Sequence, residues 1–277
     1  MVFLFLIGVF VGSFLNVIID RLPRKETIAK GRSHCEFCKK ELAWYDLIPL
    51  LSFLMLKGKC RYCHKQIGAY YPIIELSTGI LFAATYFFVV LNFRFQISNE
   101  LINQNSLFFN SPIITLQALI SLAYYLFVVS SFIVIFFEDL KFGIIPDKII
   151  FPSIIATFFY LLIINHQSLI INLFSALAAF SFFLILFLIT KGKGMGFGDV
   201  KLSFLLGLIL GFPKIIFALY LAFLTGAFVG IILIIWRKKR SLKDAIPFGP
   251  FLIAGTLLSL FLGDLMLPKI MIFLGLH

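Results

Sequence analysis

The stretch IIFPSIIATFFYLLIINHQSLIINLFSALAAFSFFLILFLIT, residues 149–190, contains no aspartate, glutamate, lysine or arginine. A helix needs about 20 apolar residues to cross the bilayer core, so this run is too long for one span and long enough for two. The polar residues NHQS at 165–168 interrupt it near its middle. The stretch therefore predicts two membrane-spanning helices joined as a hairpin.

The rest of the chain has the same character. Its 277 residues are 61% hydrophobic and 13% charged, which does not suit a water-facing surface. The third span is expected to start near Ile113, after a polar stretch, and the short sixth span needs Val200 and Lys201 in the same helix. We therefore expect an all-α polytopic membrane protein with about eight transmembrane helices. The remaining apolar runs are 1–19, 76–93, 101–137, 202–213, 215–236 and 245–263.

The basic residues predict the orientation of these helices. If the chain crosses the membrane eight times, every second loop lies on the same side. Of the 24 lysines and arginines, all but Arg94, Lys214 and Lys269 fall in the loops of one side. Short loops rich in basic residues stay in the cytoplasm, so both termini are expected outside. The net charge of +11 then indicates topology and contact with anionic membrane lipid, and no nucleic-acid partner. The basic segments are 21–65, 141–148, 191–201 and 237–243.

The first apolar run could be mistaken for a secretion signal. No basic region precedes it, no small-residue cleavage site follows it, and its charges come afterwards in DRLPRK. We expect a retained helix whose N-terminus is external.

All four cysteines lie in the loop after this first helix, as two CxxC pairs separated by 21 residues. Two such pairs can make a closed, tetrahedral four-thiolate zinc site, formed by Cys35, Cys38, Cys60 and Cys63. A loop of this size has too little apolar surface to fold unaided, and a metal would supply the missing stability. Because a closed site has no open position, the expected role of the metal is structural.

Other interpretations of the cysteines stay open. Two disulfides or free thiols are disfavoured because the predicted topology puts the loop in a reducing compartment. A thiol-redox role would need two separate redox pairs in one loop. His34 and His64 flank the CxxC pairs and are alternative metal ligands.

Carboxylates near bilayer depth are costly and often functional. Asp139 ends the third predicted span and Asp199 begins the sixth, so both are expected at the cytoplasmic ends of their helices. Two carboxylates that share a site cannot both ionise easily, which suits one of them to act as a base and the other as an acid. Glu138 is expected at the membrane interface as a solvated charge.

The segment KGKGMGFGDVKL, residues 191–202, precedes and includes Asp199. Its glycines let the backbone approach a substrate or partner helix closely, and peptide hydrolysis near the bilayer is the hypothesis that follows. Phosphate binding is disfavoured because no GK[ST] or GxGxxG motif is present. Asp199 and Asp147 could instead be helix caps, and for Asp147 we prefer that interpretation.

Two functions of other classes are also considered. An ion- or proton-coupled transporter would carry acids near the membrane midplane, whereas these acids cluster at one face. A membrane thiol oxidoreductase would need its CxxC pairs on the oxidising side.

Several motifs together resemble bacterial type IV prepilin peptidases, which are GxGD-type aspartic proteases of the membrane. They are GSFLNVIIDRLP (12–23), the two CxxC pairs, GKCRYCHKQIGAYYPIIEL (58–76), EDLKFGIIPD (138–147), GFGDVKL (196–202) and IPFGPFLIAG (246–255). The resemblance implies an inner-membrane enzyme that cuts the basic leader from prepilins and pseudopilins at the cytoplasmic face. It implies Asp139 and Asp199 as the catalytic pair, with Gly196, Gly198, Lys201 and Asp147 supporting the substrate or the loop.

Many family members with the cysteine loop also N-methylate the new N-terminal residue with S-adenosylmethionine, so the resemblance implies an enzyme with both activities. The resemblance associates Glu75 and Gly79 with this activity. A peptidase without methylation is the alternative, since no Rossmann-like fingerprint marks a cofactor pocket. Glu75 could also pair with a lysine or arginine of the zinc loop. The expected organisation is a first helix (1–20), the zinc loop (21–69), a second helix with an external loop (70–112) and a peptidase core of about six helices (113–277).

Overall fold

A computed structural model describes residues 1–27, 31–103, 112–236 and 247–273. These residues form helices and no named strand, which confirms the predicted all-α class. The helices are α1 (Val2–Arg21), a 3-10 helix (Trp44–Leu47), α2 (Leu51–Met55), α3 (Tyr70–Asn103), α4 (Pro112–Phe142), α5 (Asp147–Ile163), α6 (His166–Ile189), α7 (Phe197–Leu210), α8 (Lys214–Trp236) and α9 (Gly249–Phe273).

Eight of these helices follow the predicted path. Six are long and apolar enough to cross a membrane, whereas α5 with 17 residues and α7 with 14 are shorter than a full span. The predicted break is confirmed, because α5 ends at Ile163 and α6 begins at His166, but of these two helices only α6 is a candidate membrane span. The predicted loops at 104–111 and 237–243 lie outside the described residues. The six candidate spans are Val2–Arg21, Tyr70–Val90, Leu116–Phe142, His166–Ile189, Lys214–Leu233 and Gly249–Leu267.

Helix α3 begins at Tyr70, the residue at which the second helix was expected to start, and it contains Glu75. The end of the next helix differs from the expectation. Helix α4 continues to Phe142, so Asp139 lies almost one turn before its end. In both cases a carboxylate interrupts the apolar run but is tolerated within the helix, because it is buried against protein.

The chain divides into two compact units, residues 1–134 and 135–277. In the first unit, α1 and α3 pack with their backbones in near contact. A Cβ atom on Gly8 would lie 2.8 Å from the Cα of Gly79, and one on Gly12 would lie 2.7 Å from the Cα of Glu75. Glycines four positions apart are a common means of bringing two membrane helices this close.

In the second unit, α7 is the most enclosed helix. Its leucines at 202, 205 and 206 are fully buried. Gly207 brings it against α6, because a Cβ there would lie 2.6 Å from the Cα of Ala176. The amide of Asn172 on α6 donates to the carbonyl of Leu208 at 3.0 Å. The start of α7, where Asp199 lies, is therefore held by the core of this unit.

Candidate active site and metal centre

Asp139 is buried near the C-terminal end of α4. Its Oδ2 accepts a hydrogen bond of 3.0 Å from the backbone N–H of Gly249, the first residue of α9. A Cβ at position 249 would lie 2.6 Å from that oxygen. Glycine therefore lets the start of α9 reach the carboxylate.

Asp199 is the third residue of α7 and is also buried. Its Oδ2 accepts the N–H of Gly196 at 3.3 Å, so the side chain does cap this helix, as one sequence interpretation held. Its Oδ1 is buried and has no hydrogen-bond partner among the described residues. Capping uses one oxygen and leaves the second free for chemistry.

Ile145 lies between Gly198, which precedes Asp199, and Gly249, whose N–H holds Asp139. A Cβ on Gly198 would lie 2.9 Å from the Cβ of Ile145, and one on Gly249 would lie 3.3 Å from its Cδ1. Asp139 and Asp199 also interact electrostatically. The structure thus brings the two predicted catalytic residues into one neighbourhood of the second unit.

The glycines of the GxGD motif were predicted to allow close approach of the backbone. The structure requires this at Gly198 more than at Gly196. Gly198 has no room for a side chain, whereas a Cβ on Gly196 would meet its nearest atom, Oδ2 of Asp199, at an ordinary 3.7 Å. The backbone N–H of Gly196, which any residue but proline would offer, is what the structure uses.

The prediction for Glu138 was wrong. Its side chain is only 1% exposed, and Oε1 has no hydrogen-bond partner within the described chain. Because α4 continues past this residue, Glu138 lies within the helix and not at a solvated end. A second buried carboxyl group therefore stands next to Asp139 in the sequence.

Asp147 and Lys201 form an ion pair of 2.6 Å. Asp147 is the first residue of α5 and lies in its first turn, but Pro146 holds the cap position and no side chain caps the helix. The Nζ of Lys201 also lies 5.3 Å from the centre of the Phe197 ring. The pair joins the beginnings of α5 and α7, close in sequence to both aspartates of the candidate site.

The four cysteine Sγ atoms form one cluster, within 4.8 Å of one another. The Sγ atoms of Cys35 and Cys63 are 3.8 Å apart, and all four cysteines are free of disulfides. Ligands about 2.3 Å from a tetrahedral centre lie about 3.8 Å from each other, so this spacing suits a metal ion bound by four thiolates. His34 and His64 are not part of the cluster found among the described residues.

The two CxxC turns, Cys35–Cys38 and Cys60–Cys63, have the same backbone design, and we call them the first and second knuckles. In each, the residue after the second cysteine has a positive φ, 58° for Lys39 and 55° for His64. That residue donates its N–H to the carbonyl of the first cysteine at 2.9 Å. His64 therefore serves the site through its backbone.

Two cation–π contacts join the neighbourhoods of the two knuckles, and a buried acid, Asp46, binds the second knuckle. The sequence did not reveal either feature. The Nζ of Lys40 lies 4.2 Å from the ring centre of Tyr62, and the Nζ of Lys65 lies 4.9 Å from that of Phe37. The side chain of Asp46 is 3% exposed and accepts bonds from Nε of Arg61 at 2.6 Å and from the hydroxyl of Tyr62 at 3.3 Å.

These contacts also affect two ionisable groups of the second knuckle. The hydrogen bond from Arg61 to Asp46 raises the pKa of that guanidinium above its ordinary value. Burial, together with the negative charge of Asp46, raises the pKa of the Tyr62 hydroxyl. Both groups therefore keep their protons at neutral pH and go on donating to Asp46.

Glu75 is buried and connects α3 to the cysteine loop. Its Oε2 accepts the backbone N–H of Leu50 at 2.8 Å, and the hydroxyl of Ser13 on α1 donates to the same carboxylate. The loop thus supplies a backbone partner, where one interpretation expected a lysine or arginine. Gly79 lies in the α1–α3 contact, where a Cβ would be 2.7 Å from Cγ2 of Val9. A role of either residue in methyl transfer stays a prediction.

Gly249 and Asp46 are the residues of the site that sequence reasoning did not single out. Gly249 lies in IPFGPFLIAG, one of the segments that carried the family resemblance, but nothing local associates it with Asp139. Asp46 lies among apolar residues in AWYDLIPLL, and an acid in such a segment is the one signal that could have marked it.

Two family models match the chain. Residues 6–89 match the model of the Bacterial Peptidase A24 N-terminal domain, and residues 126–231 match the Type IV leader peptidase family. The first match contains the cysteine cluster, and the second contains Asp139 and Asp199. No solved structure gives a significant match.

Three relatives carry the name "Prepilin leader peptidase/N-methyltransferase". The Bacillus subtilis protein is 33% identical over 94% of this chain and 94% of its own length. The Aeromonas hydrophila protein is 32% identical over 94% of this chain and 90% of its own. The Burkholderia pseudomallei protein of strain 1026b is 30% identical over 94% and 85%. With matches of this extent, the chain belongs to the type IV leader peptidase family.

Proposed function

We propose that this protein removes the leader peptide from type IV prepilins and pseudopilins, with Asp139 and Asp199 as the catalytic pair. The observation that carries the proposal is the pair itself. Two buried aspartates lie in one neighbourhood of the second unit, and Oδ1 of Asp199 has no hydrogen-bond partner among the described residues. The names of the relatives supply the substrate class.

The chemistry is hydrolysis of one peptide bond. One carboxylate takes a proton from water as the water oxygen bonds to the carbonyl carbon, and the other carboxyl protonates the carbonyl oxygen. The first aspartate then gives the proton that it took from water to the amide nitrogen, the second takes a proton back from the tetrahedral intermediate, and the carbon–nitrogen bond breaks. The leader leaves with a new carboxyl terminus, and the mature chain keeps a new amino terminus.

In this scheme, hydrogen bonds from the backbone restrain the carboxyl groups of both aspartates. The N–H groups of Gly249 and Gly196 each hold one Oδ2, which restrains rotation of the carboxyl groups. A restrained pair loses little entropy on reaching the transition state. The free Oδ1 of Asp199 is then available to a water molecule or the substrate.

The experiment that tests this proposal is cleavage of a purified prepilin in proteoliposomes, followed by mass spectrometry. Asp139→Asn and Asp199→Asn should each abolish leader removal while the protein stays folded in the membrane. Asp264→Asn is the matched control, because Asp264 is an exposed aspartate of α9 that pairs with Lys214 at 2.8 Å. Cleavage near the wild-type rate by either of the first two variants would exclude the pair.

The same sample tests the second activity in the name of the relatives. With S-adenosylmethionine present, we propose that the mature product gains one methyl group on its new N-terminal amine. Glu75 is the proposed contributor, since its carboxylate is buried beside the cysteine loop and could offset a cationic amine or sulfonium. If the product loses its leader and gains no methyl group, the protein is a peptidase without methyltransferase activity.

Zn²⁺ is the metal we propose for the four cysteines, because thiolates prefer it and a closed four-thiolate site is characteristic of structural zinc. The ion would hold the two knuckles together and so give the loop a fixed shape. We further place the loop and both aspartates on the cytoplasmic side of the inner membrane, with the termini outside. The support for this orientation is the distribution of lysine and arginine.

A further inference from the structure

The segment between the two knuckles carries an unusual amount of exposed apolar surface. We call residues 44–55 the inter-knuckle segment; it contains the 3-10 helix and α2. Trp44 is 77% exposed and Met55 is 82% exposed. The other large apolar side chains exposed in this segment are Tyr45, Leu47, Leu51 and Leu54.

Exposed apolar surface of this size needs a partner in a soluble loop, because contiguous patches are rare on water-facing surfaces. The composition of the segment indicates which partner. Tryptophan and tyrosine at one end and leucine and methionine at the other are typical of elements that lie in the interfacial layer of a bilayer. Exposed lysines at 39, 40, 57 and 59 flank the segment and would meet lipid phosphates.

The hydrogen bond between Leu50 and Glu75 fixes the position of the segment along the axis of α3. Leu50 immediately precedes α2, and its N–H is held by the carboxylate of Glu75 at 2.8 Å. Glu75 lies five residues after Tyr70, the start of a candidate span, which is about 7.5 Å along the helix axis. The beginning of α2 is therefore level with the second turn of a membrane-spanning helix.

The apolar surface also continues onto that helix. Ile73 and Leu76, on either side of Glu75, are exposed residues of α3 and would face lipid. Leu51 follows Leu50 directly and is exposed as well. A bilayer that covers the first turns of α3 would therefore reach the inter-knuckle segment.

We propose that the inter-knuckle segment inserts into the interfacial layer of the same membrane leaflet, with anionic lipid as its partner. The cysteine cluster then stabilises the fold of this segment and keeps the segment at the bilayer surface. The inference rests on the membrane insertion of α1 and α3 and does not depend on the peptidase or methyltransferase activity. Its test therefore needs no substrate.

Tryptophan fluorescence in proteoliposomes provides that test, because the chain has two tryptophans, Trp44 and Trp236. The Trp236→Phe variant keeps Trp44 as the single emitter. Lipids brominated near the headgroup should quench it more strongly than lipids brominated near the chain ends, in vesicles that contain anionic phospholipid. Metal content is measured on the same sample, so that only protein with a filled cysteine cluster is compared.

Two further variants calibrate the depth. Phe10 is exposed on α1, eleven residues before Arg21, or about 16 Å along the axis. Phe10→Trp in a background with both native tryptophans changed to Phe should show the opposite order, with deep bromines quenching best. Met55→Trp in the same background should follow Trp44.

Two outcomes would overturn the proposal. One is that Trp44 and the Met55→Trp variant are insensitive to every brominated lipid while aqueous iodide quenches them. This result would mean that the segment stays in water or meets a soluble partner. The other is that both probes match the deep pattern of the Phe10→Trp variant, which would mean burial in the hydrocarbon core.

Discussion

Gly249 and Asp139 are 110 positions apart in the chain, and the N–H of the first donates to Oδ2 of the second at 3.0 Å. The contact joins the start of α9 to the end of α4. A Cβ at position 249 would lie 2.6 Å from the same oxygen, so no other residue type can make this contact without moving the carboxylate.

We therefore expect Gly249→Ala to slow prepilin cleavage by at least about tenfold, which corresponds to ~1.4 kcal/mol of transition-state stabilisation. The loss should appear in kcat, because the change displaces Asp139 and leaves the substrate-binding surface in place. Gly230→Ala is the matched control, since a Cβ at Gly230 would meet nothing within 4 Å. Equal kcat for the two variants would contradict the proposed role of the contact.

A second prediction concerns Gly198 and Ile145. Gly198→Ala should reduce cleavage, because its Cβ would lie 2.9 Å from the Cβ of Ile145 and would push the GxGD turn away. Gly196→Ala should reduce cleavage less, since there is room for a Cβ atom at that position. The Ile145→Ala change should restore part of the activity lost in Gly198→Ala, as residues in contact are not additive. The measurement is a double-mutant cycle on kcat/KM, and purely additive effects would refute the steric explanation.

A third prediction separates the metal ligands from their neighbours. Cys35→Ser and Cys60→Ser should each lower bound zinc and weaken the thiolate absorption of the cobalt-substituted protein. His34→Ala and His64→Ala should keep both signals, because neither histidine belongs to the cysteine cluster. Loss of metal in a histidine variant at unchanged protein yield would show that the ligand set is mistaken.

The fourth prediction concerns Asp46. Asp46→Asn should lower zinc affinity about tenfold, the smaller end of the range for groups that orient metal ligands. The physical reason is that Asp46 holds Arg61 and Tyr62, the two residues between Cys60 and Cys63. Competition with a chelator measures the affinity without any enzymatic assay. Glu41→Gln is the control, as the carboxylate of Glu41 forms an exposed pair with Arg32, and the two variants should differ clearly in zinc affinity.

Local patterns in the sequence predicted much of this architecture. Long apolar runs fix where helices form, and the polar stretch at 165–168 correctly indicated the break between α5 and α6, although α5 is shorter than a full span. The spacing of Cys35, Cys38, Cys60 and Cys63 predicted their cluster, because each CxxC turn is a local structure. Family resemblance supplied Asp139 and Asp199, which the fold brings into one neighbourhood.

The features that sequence reasoning missed depend on long-range contacts. Glu138 and Asp139 are adjacent acids at the end of an apolar run, and only the packing around α4 shows that both are buried. The contact between Gly249 and Asp139 spans most of the second unit, so no periodicity or spacing could indicate it. Asp46 is similar, because its partners Arg61 and Tyr62 lie 15 and 16 positions further along the chain, in the second knuckle.

The shortness of α7 has a consequence for how the reaction obtains its water. Its 14 residues rise about 21 Å, which is about 9 Å less than the hydrocarbon thickness of a typical bilayer. Neighbouring helices enclose α7, so the bilayer cannot become thinner around it. The difference of about 9 Å therefore lies inside the protein. We therefore expect water to enter the protein as far as the first turn of α7, where Asp199 lies.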